Sequence, residues 1–420
     1  MYKKQFGSIP VKFWTDPELI TNDDTLQQIK NLSNLSFAFK HIAIMPDVHL
    51  GYGMPVGGVL ATEDAIVPDA VGVDISCGMR FASLSIDGLS ASEVLHKDTP
   101  NGVLGKAILN QLQRNIKVGV GGNYNKCHYP NKSDELADFF HDKFKDQSLH
   151  MSKEKIDELF IETAPMALGT LGSGNHFVEI QEDVETSDIG LMIHTGSRGF
   201  GYKIAKFYNE YAKEKNKKWK SDIPTTELSF LPAHSDIGQE YYKFTKVADK
   251  FAELNREIIM QEFITATKEI LDRFGINNYN FGKEIKCHHN FVDIENHFGQ
   301  NVYVHRKGAI RARGGDRGII PGAMGSYSYI VTGKGNKQSF TTASHGAGRT
   351  MGRNEAKRTF DVQDMMEEFY NNDMFLVTDN KKDTLDEYRK AYKNIEDVIK
   401  YQDKLIDIDR KMLTVGVLKG

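Results

Sequence analysis

Two periodicities alternate along this chain. Apolar residues at Ile204, Phe207, Tyr208 and Tyr211, and again at Phe244, Val247, Phe251, Leu254 and Ile258, recur every three or four positions. On a 3.6-residue helix such spacing falls on one face. It predicts a helix after the string HTGSRGFG and a longer one further on, each turning that stripe to the core. Short apolar runs predict strands. Residues 41–45 and 70–75 read as buried strands that end in turns carrying polar side chains. Residues 302–304, 306–308 and 309–312 read as strand, turn, strand, and Tyr327, Tyr329 and Val331 alternate toward a hairpin at 333–335. Helices and strands interleave with no internal repeat, low-complexity linker or proline-rich hinge. The pattern therefore predicts an α+β fold, one mixed domain over residues 1–420. It should hold antiparallel and mixed sheets with surrounding helices, and its chemistry on loops held by that scaffold.

Composition narrows the function classes more than the fold. At 420 residues and 40% apolar content the chain can bury a large core. Its net charge of −4 advertises no global basic field, so any charge that binds nucleic acid must be gathered in a cleft. Arg306, Lys307, Arg311, Arg313 and Arg317 form one basic cluster, and Lys213, Lys215, Lys217, Lys218 and Lys220 form another. The second reads as a solvated helix end, because lysine runs usually face water. Three cysteines, Cys77, Cys127 and Cys287, are too few and too scattered for a disulfide framework and fit a reducing compartment. The opening MYKKQFGSIPVKFW lacks the apolar core and cleavage site of a signal peptide, and no apolar run approaches about 18 residues. A soluble cytoplasmic protein is expected, with no membrane segment.

The chemistry concentrates on tight turns. SHGAGR at 344–349 sets His345 on a glycine-rich corner with Arg349 four residues on. Glycines let a phosphate approach backbone amides, an imidazole can attack phosphorus, and a guanidinium can grip phosphate oxygens. Four further segments carry metal-ligand side chains: VGVDISCG (Asp74, Cys77), GSGNHFVE (Asn175, His176, Glu179), HTGSRG (His194, Arg198) and CHHN (His288, His289, Asn290). A lone cysteine is ordinarily a small buried hydrophobe and a lone histidine a satisfied polar residue. Together these segments offer more carboxylate, thiolate and imidazole groups than one ion takes, so two ions with a bridging ligand is the natural reading, and Cys77 is the group best suited to bridge. GAGRTMG at 346–352 departs from a dinucleotide fingerprint, and no GxxxxGK[ST], HExxH, GxSxG or paired CxxC occurs.

In order, HIAIMPDVHLGYGMPVGG, AVGVDISCGMR, GTLGSGNHFVEI, HTGSRGFG, KCHHNFV, VYVHRKGAI, GIIPGAMGS, SHGAGRTMGR and the terminal VGVLKG closely resemble the RtcB family of RNA ligases across essentially the whole chain. The resemblance implies a fold of RtcB type and a GTP- and Mn²⁺-dependent ligase. Such an enzyme joins RNA 3′-phosphate or 2′,3′-cyclic phosphate ends to 5′-hydroxyl ends through a histidine–GMP intermediate, in tRNA splicing or RNA repair. It implies that Cys77 bridges two manganese ions, with His194 and His289 completing one site and Asp74 and His176 the other. His288 is then a neighbour of the site or a surface residue, and His49 either orients a ligand or is structural.

By the same resemblance His345 attacks the α-phosphate of GTP. Arg349 and the backbone of Gly346, Ala347 and Gly348 hold phosphate, and Asn175 and Asn290 are polar contacts. Glu179 and Lys419 read the guanine edge, and Tyr392 lies near the base. His176, Phe177, Val178 and His289, the loop of Pro321, Gly322, Ala323 and Met324, and Ser328 complete the nucleotide pocket. Ala323 departs from the serine expected there, a missing hydroxyl worth about 1 kcal/mol. Arg198 and Arg353 would hold RNA or phosphates. Ligand softness alone favours zinc over manganese, so zinc is expected to bind tightly and inhibit. The alternative is a metal-dependent RNA cyclic phosphodiesterase that processes ends without ligation, and a further one is a catalytically dead RNA-end-binding protein. Whether the RNA is tRNA, ribosomal RNA or damaged RNA in general, and whether a protein such as archease activates the enzyme, stays open at this level.

Overall fold

The computed structural model describes residues 1–420 except 101 and 146. Two sheets organise it. The larger runs, in spatial order, Tyr279–Phe281, Gly78–Ile86, Ile189–Thr195, Phe177–Asp183, Ile406–Lys419, Tyr327–Gly333 and Arg317–Ile320, with Ile285–His288 and Phe375–Val377 pairing alongside. The smaller runs Tyr2–Gln5, Pro10–Phe13, Ala38–His49, Val56–Thr62, Gln300–Lys307 and Asn290–His297. Most pairs are antiparallel; Pro10–Phe13 with Ala38–His49 and Phe375–Val377 with Ile406–Lys419 are parallel. Inner faces of the two sheets share one core, in which Ala43, Met45 and Val59 of the smaller sheet cluster with Ile320, Tyr329 and Val331 of the larger. The architecture is the mixed α and β fold expected, with helices packed around sheets.

Both helices predicted from apolar stripes form, as Arg198–Trp219 and Asp236–Arg273. Ile204, Tyr208, Phe244, Val247, Phe251 and Leu254 are fully buried and sit in one cluster. Ser235 starts the long helix by accepting from the Gly238 amide at 3.2 Å, satisfying an end donor that has no intrahelical partner. Its polar residues Asn255 and Arg256 are buried too. Asn255 Oδ1 accepts from the amides of Gly169 and Thr170 at 2.8 and 3.1 Å, and Arg256 donates to the carbonyls of Ser76 and Thr195 at 2.7 and 3.0 Å. Hydrogen bonds involving a charged group contribute about 1.5–3 kcal/mol, so this helix pins from behind the loops that carry the site.

Several expected strands are corrected. Residues 70–75 form no strand: a 3-10 turn spans Pro68–Ala70, Gly72 and Ser76 adopt φ of 97° and 57°, and the segment pairs with no ladder although Ala70, Val71 and Ile75 are buried. Its apolar run fills core as an irregular loop. The strand read at 41–45 continues to His49. Arg306 and Lys307 lie in a strand, and only Gly308, at φ 58°, turns. The hairpin expected at 333–335 is absent; Tyr327–Gly333 pairs instead with Arg317–Ile320 across the 321–326 loop and with the C-terminal strand. No described helix is long and apolar enough to cross a membrane.

Candidate active site

The chain passes from the larger sheet to the smaller across one residue, His289, which lies between Ile285–His288 and Asn290–His297. The metal-ligand candidates gather at that crossing. The Cys77 carbonyl accepts from the His289 amide at 2.9 Å and the Asn290 carbonyl accepts from the Ser76 amide at 2.7 Å. Asn290 also ties loops together through its side chain, which donates to the Asp74 carbonyl at 3.1 Å and accepts from the Gly308 amide at 2.8 Å. Asp74 Oδ1 accepts from the amide and hydroxyl of Ser197 at 2.9 and 3.2 Å.

His176 and His194 turn Nδ1 to the carbonyls of Leu171 and Asn175, at 3.0 and 2.9 Å. A carbonyl only accepts, so on His194 Nδ1 carries the proton and Nε2 points inward as a lone pair, whereas His176 Nδ1 also faces the Arg198 Nη1 donor at 3.1 Å and its Nε2 hydrogen-bonds Asp74. His194 Nε2 then lies 3.2 Å from Cys77 Sγ and 3.3 Å from His289 Nε2. His176 Nε2 lies 3.5 Å from Cys77 Sγ and 2.9 Å from Asp74 Oδ2. Cys77, His194 and His289 form one group able to hold a cation and Asp74, Cys77 and His176 a second, with the atoms of each within 4.8 Å of one another. Imidazoles and a carboxylate converge on one sulfur in two groups, and the residues fit two metal ions sharing the thiolate.

Electrostatics fit the same occupant. Burial, reinforced by neighbouring imidazoles, holds His194 and His289 well below the usual histidine range, which keeps them neutral, as ligation requires. Burial raises Asp74, but the His176 hydrogen bond and the Arg198 charge outweigh it and keep the carboxylate ionised. Burial and the adjacent Asp74 push the Cys77 thiol well up, so it keeps its proton until a bound cation stabilises the thiolate and displaces it.

His345 faces this centre, with its ring centroid 4.6 Å from that of His289. Its backbone amide and its Nδ1 both donate to Oδ2 of the fully buried Asp47, at 3.1 and 2.7 Å. A carboxylate at Nδ1 leaves the lone pair on Nε2, open to the cleft. Two glycines make that approach possible. A Cβ on Gly348 (φ 77°) would lie 2.1 Å from the Asp47 carbonyl oxygen, and one on Gly308 (φ 58°) would lie 2.9 Å from the His345 ring.

A cleft of about 360 Å³ opens over these groups. Asn175, Phe177, Glu179, His289, Asn290, Pro321, Gly322, Ala323, Met324, Tyr392 and Lys419 line it with the 345–349 loop and Arg353. Strand alternation explains an omission: Phe177 and Glu179 face the cleft, so Val178 faces the opposite core. Ser328 lies beneath the 321–326 loop, accepting from the Gly322 amide at 3.2 Å, and His176 sits behind with the metal-ligand atoms. Burial raises Glu179 to about 7 against hydrogen bonds from Gln181 and Thr414. Lys419 donates to the His176 carbonyl at 3.1 Å.

The arginines divide. Arg353 is 47% exposed and donates to Asn175 Oδ1 at 3.3 Å, so it remains available to a substrate. Arg349 is occupied by the chain itself, donating to Glu387 at 3.2 Å, to the Tyr392 hydroxyl at 2.8 Å and to the Asp386 carbonyl at 2.6 Å. Arg198 packs behind His176, with Nε donating to Thr170 Oγ1 at 3.3 Å. The basic cluster at 306–317 comes apart: Arg306 is fully buried and paired with Glu295 at 2.6 Å, and Lys307 is buried and donates to the Asp69 carbonyl at 2.8 Å. In the lysine run, Lys213 pairs with Asp69 at 3.2 Å, while Lys217, Lys218 and Lys220 are exposed at the helix end. His288 turns from the metal-ligand atoms to Asp249, at 3.2 Å.

Two site residues escaped the sequence reading. Asp47 stood in the quoted PDVHLG string with nothing to tie it to a histidine 298 positions away. Glu387 gathers Arg349, Arg353, Tyr392 and Lys419 at the cleft wall, and no local pattern marks it.

A protein-family model described as tRNA-splicing ligase RtcB matches residues 28–420. The RNA-splicing ligase RtcB of Escherichia coli (strain K12) is 36% identical over 420 residues, covering 98% of this chain and 97% of that protein. The tRNA-splicing ligase RtcB of Nanoarchaeum equitans (strain Kin4-M) is 30% identical over 474 residues, covering 98% and 96%. The RNA-splicing ligase RtcB of Mycobacterium bovis is 30% identical over 450 residues, covering 94% and 100%.

Proposed function

The chain belongs to the RtcB family of RNA ligases, and from that premise we propose that it joins RNA ends bearing a 3′-phosphate or 2′,3′-cyclic phosphate to 5′-hydroxyl ends, with GTP as substrate and two manganese ions. The observation that carries this reading is His345, held by Asp47 with Nε2 free beside the metal-ligand cluster. In the first step Nε2 bonds to the α-phosphorus of GTP as the bond to pyrophosphate breaks. A 2′,3′-cyclic end is opened by water to the 3′-phosphate; an oxygen of that phosphate takes GMP from Nε2, and the 5′-hydroxyl oxygen, losing its proton, displaces GMP to complete the phosphodiester.

Manganese held by Asp74, Cys77, His176, His194 and His289 would neutralise phosphate charge and acidify an attacking oxygen. Arg353, exposed at the cleft rim, would hold phosphate, while Arg349 holds the wall of Glu387 and Tyr392 in shape. Glu179 would accept from the guanine N1 and N2 edge and Lys419 would donate to O6. Hydrolysis of a cyclic phosphate alone would use the metal ligands but would leave an oriented histidine and a nucleotide-sized cleft without a task.

The test is incubation with α-labelled GTP and Mn²⁺, then denaturing electrophoresis. We expect an acid-labile, base-resistant label on the wild type and none on His345→Ala. Persistence of the label in that variant would sink the assignment. RNA with a 2′,3′-cyclic end that is opened equally by both proteins and never sealed would favour the phosphodiesterase.

A further inference from the structure

Behind the metal-bearing loops lies a second depression of about 470 Å³, which shares no lining residue with the nucleotide cleft. The strand Ile285–His288 forms one side of it and the long helix, through Arg256, another. His288 lines this pocket and His289 the cleft, as alternation along an extended chain requires. Six cationic side chains line it against four carboxylates, on a chain of net charge −4. Each of those acids is already engaged: Glu284 by Arg80, Glu253 by Lys286, Asp316 by Arg311 at 2.8 Å and Asp249 by His288 at 3.2 Å. Arg317 is 49% exposed and holds Asp409 at 3.3 Å through Nη2 alone. Lys283 is exposed and makes no ion pair among the described residues.

Arg256 is 4% exposed, and a guanidinium carries five N–H donors. Nη1 donates to the carbonyls of Ser76 and Thr195, at 2.7 and 3.0 Å. Nε and Nη2 have no partner among the described residues, and neither is among the sealed polar atoms of the interior, so their donors open on the pocket that Arg256 lines. Nε–H and Nη2–H run parallel, the edge that takes two oxygens of one phosphate. A buried charge with unmet donors is unfavourable, and an anion on that edge would satisfy them. The opposite edge reaches the metal-ligand loops, since Ser76 precedes Cys77 and Thr195 follows His194. Ser76 sits at φ 57°, a left-handed backbone that a serine keeps only where its surroundings fix it.

We propose that this pocket is a second phosphate-binding site, in which Arg256 grips a phosphate group through Nε and Nη2 while Lys283 and Arg317 balance its charge, and that its occupant braces the loops carrying Cys77 and His194. An anion that immobilises the guanidinium plane also immobilises both carbonyls held by Nη1, so order gained on one edge is shared by the other. The phosphate can belong to free pyrophosphate or to an RNA backbone, because the same fork takes either. No residue of the nucleotide cleft takes part, so the proposal stands or falls apart from the catalytic assignments.

The test is hydrogen exchange of the full chain, free of metal, over a titration with sodium pyrophosphate. Segments 283–288 and 74–78 should slow together in wild type, with one half-saturating concentration. Pyrophosphate seated only in the nucleotide cleft would instead slow the 345–349 loop and leave 283–288 unchanged. Lys283→Glu, at an exposed position with no pair to lose, should raise the half-saturating concentration about tenfold or more in both segments. Arg256→Lys, which keeps the charge but not the fork, should do the same, and the Lys283 variant decides the matter if Arg256→Lys fails to fold. A single-stranded RNA with 5′-phosphate and 3′-hydroxyl ends separates the sources: slowing at 283–288 by RNA at lower phosphate concentration than pyrophosphate needs assigns the backbone, and the reverse assigns a free anion. Malonate, a dicarboxylate, should have little effect. No slowing at 283–288 with either phosphate source, equal slowing by malonate, an unchanged response in Lys283→Glu, or slowing at 283–288 without 74–78 would each overturn the proposal.

Discussion

Asp47→Ala asks whether His345 works because it is oriented. Asp47 is fully buried, and one oxygen accepts both donors of His345. Truncation strands an amide and a ring N–H in the interior at about 1–3 kcal/mol each, or roughly 2–6 kcal/mol together. Part of that lowers stability and part falls on the reaction. The reactive part is tautomeric: with its proton on Nε2 the ring has no lone pair for phosphorus. Where a carboxylate orients a histidine in hydrolases, the wrong tautomer costs about 10⁴ in rate. We therefore expect guanylylation to fall by about 10²–10⁴-fold. Asp47→Asn should be milder. Its amide oxygen can replace Oδ2, and its NH₂ can take the place of Oδ1, which has no partner. The charge is lost and the NH₂ is buried without an acceptor, because no group partners Oδ1, so a drop of about tenfold or more follows. The assay is single-turnover formation of the acid-labile label from α-labelled GTP and Mn²⁺. Labelling by Asp47→Ala within about threefold of wild type would refute the reasoning, and so would Asp47→Asn slower than Asp47→Ala.

Three other outcomes are expected. Cys77→Ala should abolish guanylylation and Cys127→Ala, at a half-buried position away from the cluster, should keep it; equal activities would exclude a bridging thiolate. Burial raises Glu179 to about 7, and the proposed guanine contact needs the ionised carboxylate, so the protonated form that prevails below that value should bind poorly. GTP affinity should climb from pH 6 to pH 8 and level off above, and Glu179→Gln should lose the dependence; a flat wild-type profile would contradict the guanine contact. Chelation should stop labelling and Mn²⁺ restore it, whereas Zn²⁺, which thiolate and imidazole prefer, should inhibit; full activity with zinc would show that the coordination sphere does not discriminate between the ions as argued.

Much of this was legible from local pattern because local physics governs it. Helical stripes at 204–211 and 244–258 place the two long helices, since an apolar face recurring every 3.6 residues has to be buried. Asp74, Cys77, His176, His194, His289 and His345 stand out because glycine-rich turns carry ligand and nucleophile side chains. Residues 70–75 misled because an apolar run fills a core equally well as a strand or as a loop, and only a neighbouring ladder decides between them. Arg306 and Arg349 misled for a related reason. A guanidinium looks available in a sequence, and whether Glu295 or Glu387 already holds it depends on residues distant along the chain.

By itself the sequence determined the two long helices, the stripes that must be buried and the inventory of candidate metal ligands, and it singled out His345 as the candidate nucleophile. Tertiary structure alone decided which of them meet. It set Cys77 between two groups of ligands by crossing from one sheet to the other at His289, and it brought Asp47 to His345 across 298 residues. It also left Arg353 half exposed at the rim while tying up Arg349. Each of these depends on side chains approaching within about 3 Å, the reach of a hydrogen bond. Residue spacing along a chain constrains such approach only within one helix or turn; beyond that, packing of the two sheets sets it.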